Sequence, residues 1–315
     1  MWHDLYISFV IPCYNSESTI KDVVSEIVST VSGKIPDYEI ILVNDGSGDG
    51  TLNTIREIVE SDKHVKGLDL ARNFGQHSAL MAGIKLCCGD IAICLDDDGQ
   101  SPADEIGKLL DELDKGYDVV YARYQHKQHS LYRNLGSMLN GWMTEIMLGK
   151  PKGLYLSSFF AMRRFVIDEI VQYDSPYPYL MGLVLRTTDN IGNVDVTHRG
   201  RVSGESGYTF RKLLKLWLNG FTAFSVKPLR IATLSGFTLA VLGILYGIWI
   251  VIKKIVFDVA PVGWSSLAAM IMFIGGIMMI MQGMIGEYIG RIYLSMNRSP
   301  QYVIRSVISH DSEED

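Results

Sequence analysis

Residues 91–102, Ile-Ala-Ile-Cys-Leu-Asp-Asp-Asp-Gly-Gln-Ser-Pro, carry a short apolar run directly into a cluster of acidic residues. A run of this length before a turn signal predicts a buried strand, here Ile91–Leu95. Ser101 and Pro102 predict the start of a helix. The apolar face of that helix is formed by Ile106, Leu109, Leu110 and Leu113. The stretch therefore predicts a strand, an acidic turn and a helix, the repeating unit of α/β sheets.

The same alternation extends over roughly the first 200 residues of the chain, at the spacing of α/β units. Further strands are predicted at Ile7–Ile11, Glu39–Val43, Val65–Leu70 and Val119–Ala122. Helical apolar faces are predicted within 20–31 and 52–59. The fold class is therefore α/β, with a mostly parallel, Rossmann-like sheet covered by helices on both faces. Its ligand site is expected at the carboxyl ends of the strands.

Polar clusters follow three of these strands, at Pro12–Asn15, Asn44–Thr51 and Asp96–Gln100. Alternation along an extended segment would place Asp96, Asp98 and Gln100 on one side and Asp97 on the other. Hard oxygen ligands of this kind suit Mg²⁺ or Mn²⁺ on a substrate phosphate. The alternative interpretation is a solvated acidic turn.

The cluster at 44–51 is glycine-rich and partly resembles a calcium loop that begins at Asp45. The position that needs a glutamate holds Arg56, so calcium binding is not indicated. Neither a GxGxxG pattern nor a P-loop lysine is present. We interpret this turn as one whose acidic residue accepts ribose hydroxyls or the edge of a base.

The chain is apolar for its length, with 48% hydrophobic residues, 20% charged residues and a mean hydropathy of +0.15. Two stretches without charges, Ile231–Ile252 and Ser265–Gly286, are each long enough to cross about 30 Å of hydrocarbon. Basic residues flank the pair on both outer sides, which predicts cytoplasmic termini. Two buried core helices are the alternative.

Residues 208–230 combine aromatic and leucine side chains with Arg211, Lys212 and Lys215, which predicts an amphipathic helix in the membrane interface. A helix packed on the soluble domain has the same periodicity. Residues 131–148 are a weaker candidate of the same kind. The predicted domains are a catalytic domain at 1–205, a juxtamembrane helix at 206–230, a transmembrane hairpin at 231–290 and a cytosolic tail at 291–315.

Net charge and cysteine spacing indicate which partners and which cellular compartment to expect. The formal net charge is −6, much of it in the acidic tail, so nucleic acid is not an expected partner. The start of the chain lacks the pattern of a signal peptide. Cysteines at 13, 87, 88 and 94 have no CxxC spacing, which favours buried, reduced thiols.

Several motifs, read in order, resemble those of family 2 glycosyltransferases with a GT-A fold. They are Val10-Ile-Pro-Cys-Tyr-Asn15, Val43-Asn-Asp-Gly-Ser47, Ala71-Arg-Asn-Phe-Gly75 and Leu95-Asp-Asp-Asp-Gly-Gln-Ser-Pro102. Later segments look like the polyprenyl-phosphate glycosyltransferases, a group that includes bactoprenol glucosyltransferase and dolichol-phosphate mannose synthase. These segments are Arg201–Ser206, Gly286–Tyr293 and Arg298–Tyr302.

The resemblance implies roles for individual residues. The nucleotide pocket would be lined by Pro12, Tyr14, Asn15, Glu17, Asp45, Arg72, Asn73 and Asp96. The metal would be held by Asp96, Asp98 and Gln100, and the acceptor phosphate by Arg123, Arg201 and Ser206. The catalytic residues would be Asp96, Asp98, Arg201 and Arg123.

Two positions depart from the family pattern. Gly207 stands where relatives often have a lysine, and Ser158 aligns with an aspartate that some relatives use near the acceptor. A phosphate monoester has a second pKa near 6 and is already mostly ionised at neutral pH. Sugar transfer to such an acceptor phosphate therefore needs cations and arginines, which stabilise the negative charges, more than it needs a general base.

The resemblance implies inverting transfer of a sugar, with glucose favoured, from a nucleoside diphosphate to undecaprenyl phosphate at the cytoplasmic face of the inner membrane. UDP-N-acetylglucosamine and GDP-mannose are alternative donors. Membrane lipids are expected partners. Relatives also suggest a homo-oligomer, specifically a tetramer. Rival interpretations are a processive polysaccharide synthase, a non-catalytic sugar-nucleotide sensor or lipid-carrier partner, and a two-span flippase.

Overall fold

The structure is a computed structural model, and it describes most of the chain. The described residues are 5–125, 145, 150–197, 234–238, 241–243, 245–246, 248–249, 252, 255–256, 263–297 and 299–310. The chain divides into two compact units, Met1–Phe210 with Arg298–Asp315, and Arg211–Asn297. The domain boundaries expected from the sequence stay a prediction.

The first unit is built on one eight-stranded sheet with the order β7-β5-β6-β4-β1-β2-β3-β8. The strands are β1 Tyr6–Cys13, β2 Asp37–Asn44, β3 Val65–Leu70, β4 Ile91–Cys94, β5 Val119–Gln125, β6 Phe160–Arg163, β7 Ile191–Thr197 and β8 Ile304–Ile308. The pairs β1–β2, β2–β3, β1–β4 and β5–β7 are parallel, whereas β6 and β8 run antiparallel to their neighbours. The predicted mostly parallel α/β sheet is confirmed.

Six α-helices of this unit are described. They are α1 Ile20–Val31, α2 Thr51–Ser61, α3 Gln76–Leu86, α4 Ile106–Asp114, α5 Arg164–Ile170 and α6 Leu180–Thr187. One apolar cluster joins α1, α2 and α4 to the sheet. Helix α3 packs on β1 and β2, and also contacts α6, which packs on α5. Since the Val10 side chain faces α3 while Phe9 and Ile11 belong to the α1 cluster, helices cover both faces of the sheet.

The predicted start of α4 is wrong. The backbone of Pro102 is extended, with ψ 95°, so it does not begin the helix. A 3₁₀ turn at Ala103–Glu105 follows, and α4 begins only at Ile106 with no side-chain cap. The Ser101 hydroxyl instead lies 3.4 Å from the Tyr124 hydroxyl.

All four cysteines are free thiols, as predicted. Cys13, Cys87 and Cys94 are buried. The expectation of burial is wrong for Cys88, which is exposed because the chain leaves α3 there and turns at the surface before β4.

The second unit contains α7, a helix at Trp264–Met296. Its segment Phe273–Met296 is apolar and long enough to cross a membrane, and it is the single such helix in the described part of the chain. The predicted second span, Ser265–Gly286, lies within α7. A shorter apolar helix covers Leu234–Gly243. Nine of the 22 residues of the first predicted span, and both predicted interfacial segments apart from residue 145, lie outside the described residues.

Close packing of α3 on the sheet generates a stability prediction. A Cβ atom added at Gly83 would lie 2.5 Å from Cγ1 of Val10 and 3.0 Å from Cγ2 of Val43, both on buried strands. Gly83→Val should therefore destabilise the protein by about 1–3 kcal/mol through overpacking. The unfolding temperature, measured by far-UV circular dichroism in detergent, reports this loss.

Lys85→Val is the matched control, because Lys85 is exposed on the same helix and the change costs only about 0.5 kcal/mol of helix propensity. Equal losses in the two variants would contradict the packing described for Gly83.

Candidate active site

Four parallel strands end together at one side of the sheet. We call this the carboxyl edge, and it consists of the residues that follow Cys13, Asn44, Leu70 and Cys94. Register brings these strand ends level, because Cys13 pairs with Asn44 and Asn44 pairs with Asp69. The three polar clusters predicted from the sequence, Pro12–Asn15, Asn44–Thr51 and Asp96–Gln100, all lie at this edge.

The turns after β1 and β2 are bound to each other. The Asn15 amide donates to the Ser47 hydroxyl at 3.1 Å, and the Gly48 amide donates to Asn15 Oδ1 at 2.9 Å. The Gly50 amide donates to Glu17 Oε2 at 2.9 Å. Asn15 holds a left-handed backbone conformation, with φ 54°, which directs its side chain back to the glycine-rich turn. Asn15 and Glu17 are thereby fixed beside this turn.

Pro12, on β1, and Tyr14, in the turn that follows it, are the other predicted nucleotide residues of this segment, and they differ in exposure. Pro12 is buried within β1 opposite Val43. The side chain of Tyr14 is 53% exposed, so its ring is available to a planar ligand group.

Asp45 holds the loop that follows β3, at residues 71–75. Its Oδ1 accepts the Phe74 amide at 2.7 Å and its Oδ2 accepts the Gly75 amide at 2.9 Å. Burial raises the pKa of this carboxyl, while the two amide bonds lower it. Gly46, with φ 64°, lets the backbones meet, since a Cβ atom there would lie 2.5 Å from backbone atoms of the 71–75 loop.

The 71–75 loop carries two predicted donor residues, Arg72 and Asn73. Both are exposed at the carboxyl edge. The Arg72 guanidinium lies 4.8 Å from the centre of the Phe74 ring, a cation–π contact.

Asp96 is the most constrained carboxylate of the acidic turn. Its Oδ1 accepts Gln76 Nε2 at 2.7 Å, and its Oδ2 accepts a short hydrogen bond from the Ser158 hydroxyl. Burial raises its pKa to about 6; the charges of Asp98 and Asp97 also raise it, and the two hydrogen bonds lower it. The carboxylate is therefore oriented by two neutral donors and repelled by two neighbouring charges.

The rest of the acidic cluster forms a turn, not the extended segment that the sequence suggested. The strand ends at Cys94, and residues 97 and 98 occupy the turn. Asp97 still faces away from Asp96, because its Oδ2 accepts the Tyr14 amide at 3.0 Å. Asp98 Oδ1 accepts the Gln100 amide at 3.1 Å, so Gln100 contacts Asp98 through its backbone.

The donor set at this turn fits a divalent cation. A cation beside Asp96 and Asp98 would offset the repulsion that raises the pKa of Asp96. Among the described residues, no three His, Cys, Asp or Glu side chains are grouped as a metal site. A magnesium or manganese ion here would therefore take part of its coordination from water and substrate phosphates, as Mg²⁺ usually does.

Arg123 reaches the same side of the sheet from β5. Strand β6 is antiparallel to both β4 and β5, and Phe160 pairs with Cys94 and with Tyr121. Arg123 lies two residues after Tyr121, and Asp96 lies two residues after Cys94, so the two residues are at equivalent heights along the sheet. Arg123 Nε donates to Asp195 Oδ1 on β7 at 2.5 Å, which fixes the guanidinium. Arg201 and Ser206 lie outside the described residues.

Sequence reasoning missed Gln76, and it noticed Ser158 only as a departure from a family pattern. Gln76 is the first residue of α3, directly after the 71–75 loop, and such a position places a polar side chain over the neighbouring strand end. Ser158 lies two residues before β6, beside the end of β4. Its place directly after the 71–75 motif is the one sequence feature that points to Gln76, whereas the role of Ser158 depends on the antiparallel pairing of β6 with β4.

The doubly wound sheet, with its glycine-rich turn and paired aspartates at the carboxyl edge, is that of a GT-A glycosyltransferase. The family described as "Glycosyl transferase family 2" matches residues 8–171, and "GtrB C-terminal hairpin" matches residues 227–292. The chain belongs to glycosyltransferase family 2 and is an enzyme of that class. The resemblance seen in its motifs is confirmed.

Curated relatives match nearly the whole chain. Undecaprenyl-phosphate 4-deoxy-4-formamido-L-arabinose transferase from Proteus mirabilis is 34% identical over 306 residues, covering 96% of this chain and 94% of its own. The protein of the same name from Photorhabdus laumondii is 32% identical, covering 98% and 96%. The chain is therefore related along its length to undecaprenyl-phosphate sugar transferases.

Solved structures support the fold. Glucosyl-3-phosphoglycerate synthase from Mycobacterium tuberculosis, in complex with Mn²⁺ and UDP-glucose, aligns with a TM-score of 0.52 and 19% identity, covering 69% of this chain and 79% of that one. Its complex with phosphoglyceric acid aligns with a TM-score of 0.54 and 18% identity, covering 70% and 80%. At this identity the likeness shows the fold alone.

The environment of Asp96 generates a pH-dependent prediction. A raised pKa means that protonation is favoured in the folded state, so metal-free stability is greater at low pH and is lost as the pH rises through about 6. Asp96→Asn keeps partners for Gln76 and Ser158 and removes the charge. Without divalent cations at pH 7.5 it should be more stable than wild type by about 1–3 kcal/mol, and the advantage should shrink as the pH falls below about 6 and vanish below about pH 4, near the ordinary pKa of an aspartate.

The same melting curves test cation binding, because a ligand that binds the folded state raises the unfolding temperature. Mn²⁺ should stabilise wild type and the control Asp90→Asn, whose carboxylate bonds the Tyr6 amide at the far side of the sheet, but not Asp96→Asn. A destabilised Asp96→Asn, or equal Mn²⁺ shifts in all three proteins, would contradict this description.

Proposed function

We propose that this protein transfers a sugar from a nucleoside diphosphate to undecaprenyl phosphate in one displacement, with inversion at the anomeric carbon. The observation that carries the proposal is the placement of Asp96, held by Gln76 and Ser158, beside Asp98 at the same edge as the glycine-rich turn. The names of the full-length relatives support the choice of acceptor.

The donor's nucleotide would occupy the carboxyl edge between the turns after β1 and β2 and the 71–75 loop. The exposed Tyr14 ring offers a face for stacking, and Asn15, Glu17 and Asp45 shape the pocket through their hydrogen bonds to its turns. Pro12, Arg72 and Asn73 complete the set that we assign to the donor.

The donor's diphosphate would lie at the acidic turn. We assign Asp96, Asp98 and Gln100 to a Mg²⁺ or Mn²⁺ ion, which supplies charge neutralisation for a departing nucleoside diphosphate. Asp98 is bonded by the Gln100 amide, and Asp96 is bonded on both oxygens by neutral donors. These bonds pre-orient the carboxylates, so little reorganisation is needed as charge develops.

The acceptor phosphate would approach from the side of β5. Arg123, fixed by Asp195, provides a guanidinium with further donors, and we assign Arg201 and Ser206 to the same phosphate. An ionised phosphate needs little deprotonation. Ser158 therefore does not have to replace the aspartate of some relatives as a base, and its hydroxyl is already committed to Asp96.

Four sugars are candidates for the transferred group. We favour glucose from the resemblance to the polyprenyl-phosphate glycosyltransferases, whereas the relatives carry the name of 4-deoxy-4-formamido-L-arabinose. N-acetylglucosamine from UDP and mannose from GDP are further alternatives.

We propose an inner-membrane location, with two spans and with both termini and the catalytic domain in the cytoplasm. The apolar segment of α7 supports one span, and the match of a hairpin family to 227–292 supports the second. Basic residues on the outer flanks support the orientation. A membrane anchor would hold the site at headgroup depth, where the acceptor phosphate lies. A homo-oligomer, such as a tetramer, stays a prediction.

The reaction can be tested with the full chain in detergent. The protein is incubated with undecaprenyl phosphate, Mn²⁺ and a panel of UDP-glucose, UDP-4-deoxy-4-formamido-L-arabinose, UDP-N-acetylglucosamine and GDP-mannose, and the lipid is analysed by mass spectrometry. One glycosylated lipid should form. Asp98→Ala should reduce its rate at least about 100-fold.

Asp37→Ala, an exposed aspartate at the far side of the sheet, is the control and should keep wild-type activity. Donor binding without any transfer across the panel would support the sensor interpretation instead, and would overturn the proposed reaction.

A further inference from the structure

The pairing of β8 with β3 is irregular at one point, where an arginine of β8 has no partner residue on β3. Asp69 pairs with Ser306, and the next residue of β3, Leu70, pairs with Ile304. Arg305 is therefore the extra residue of a β-bulge. Bulges twist a strand locally and change the direction of a side chain, and they are common beside active sites.

The bulge places the Arg305 guanidinium at the carboxyl end of β3. Its Nη2 donates to the Ala71 carbonyl at 2.9 Å, and its Nη1 donates to Asp69 Oδ2 at 3.3 Å. The Ala71 amide also donates to the Val303 carbonyl at 2.8 Å. Strand β8 and the residue before it, Val303, thus bind both backbone groups of Ala71, the first residue of the 71–75 loop.

Asp69 extends this contact into the site. Its side chain is only 3% exposed, and its Oδ1 accepts Asn44 Nδ2 at 2.7 Å. Asn44 Oδ1 in turn accepts the Ser47 amide of the glycine-rich turn at 3.2 Å. A continuous path of hydrogen bonds therefore runs from Arg305 to the turn that follows β2.

The 71–75 loop is held at its two ends by different elements. Asp45 binds the amides of Phe74 and Gly75 at the end of the loop, and Arg305 binds the carbonyl of Ala71 at its start. Arg72 and Asn73 lie between these anchors. Loss of either anchor would free the exposed residues between them.

We propose that Arg305 is a positioning residue for nucleotide binding, and that the C-terminal strand β8 is part of the donor pocket's scaffold. This inference rests on the proposed function, because the 71–75 loop is assigned to the donor there. Arg305 itself does not contact the nucleotide.

Strand β8 is held against β3 by close packing at Gly67. Gly67 on β3 pairs with Ile308, and a Cβ atom at Gly67 would lie 3.3 Å from the Ile308 side chain and 2.8 Å from Ile55. Ile308 packs against the main apolar cluster through this gap. The pocket is consequently completed by a strand that the chain reaches only after α7.

Arg305→Met tests the proposal in the full-length protein. UDP affinity in the presence of Mn²⁺ should fall about fivefold to tenfold by titration calorimetry, the loss expected for a charge-assisted contact. The KM for the donor should rise by the same factor, with the KM for undecaprenyl phosphate unchanged. Hydrogen exchange of the 71–75 amides should accelerate. Arg305→Lys keeps one donor group and should recover part of the affinity.

Arg164→Met is the matched control. Arg164 also binds one carboxylate and one carbonyl, Asp168 and Cys87, each at 2.8 Å, but it follows the pair Ile91–Arg163 at the opposite side of the sheet. It should leave UDP affinity and exchange in the 71–75 loop unchanged, whatever its effect on the unfolding temperature.

The outcomes separate this inference from the proposed function. If wild type binds UDP and Arg305→Met binds it equally, or loses no more than Arg164→Met, the role of Arg305 is overturned alone. Equal changes in the two KM values would also overturn it. If wild type binds neither UDP nor GDP, the proposed function falls and the inference falls with it.

Discussion

Parallel pairing of β1 with β2 and with β4 determines where the polar groups of the site lie. Because these strands run in the same direction and in level register, the turns that leave them meet at one edge, although they are separated by tens of residues in the chain. The turns then bind one another through backbone amides and side-chain oxygens, as in the contacts between Asn15 and Ser47 and between Asp45 and the 71–75 loop. The pocket is therefore largely preformed by the sheet, which limits the ordering that ligand binding would require.

The acidic turn at this edge carries a concentration of negative charge, from Asp96, Asp97 and Asp98. Asp96 accepts two hydrogen bonds from neutral donors, and burial, together with the charges of its two acidic neighbours, raises its pKa to about 6. A site of this kind suits a divalent ion held by Asp96 and Asp98, and such an ion would neutralise the charge of a diphosphate bound beside it. Arg123 contributes positive charge further along the same side of the sheet, where a second anion can approach.

Periodicity and motif order were sufficient to predict the central strands, α1, α2 and α4, and the three polar clusters at the carboxyl edge. They failed where tertiary contacts decide the structure. Strands β6 and β7 are short or partly polar, and β8 follows an apolar segment and pairs with β3 across more than half the chain, so no local pattern marks them. Gln76 and Ser158 belong to the site only because α3 and β6 lie beside β4. From the sequence alone, Arg305 counts only as one of the basic residues that flank the predicted spans, since a bulge cannot be recognised before the partner strand is known.

A crystal or cryo-EM structure of the full-length protein with UDP and Mn²⁺ would test the central claim most directly. We expect the metal to be held by Asp96 and Asp98 and the uridine to lie between the glycine-rich turn and the 71–75 loop. A nucleotide bound away from the carboxyl edge, or a metal that does not contact Asp96 or Asp98, would contradict it.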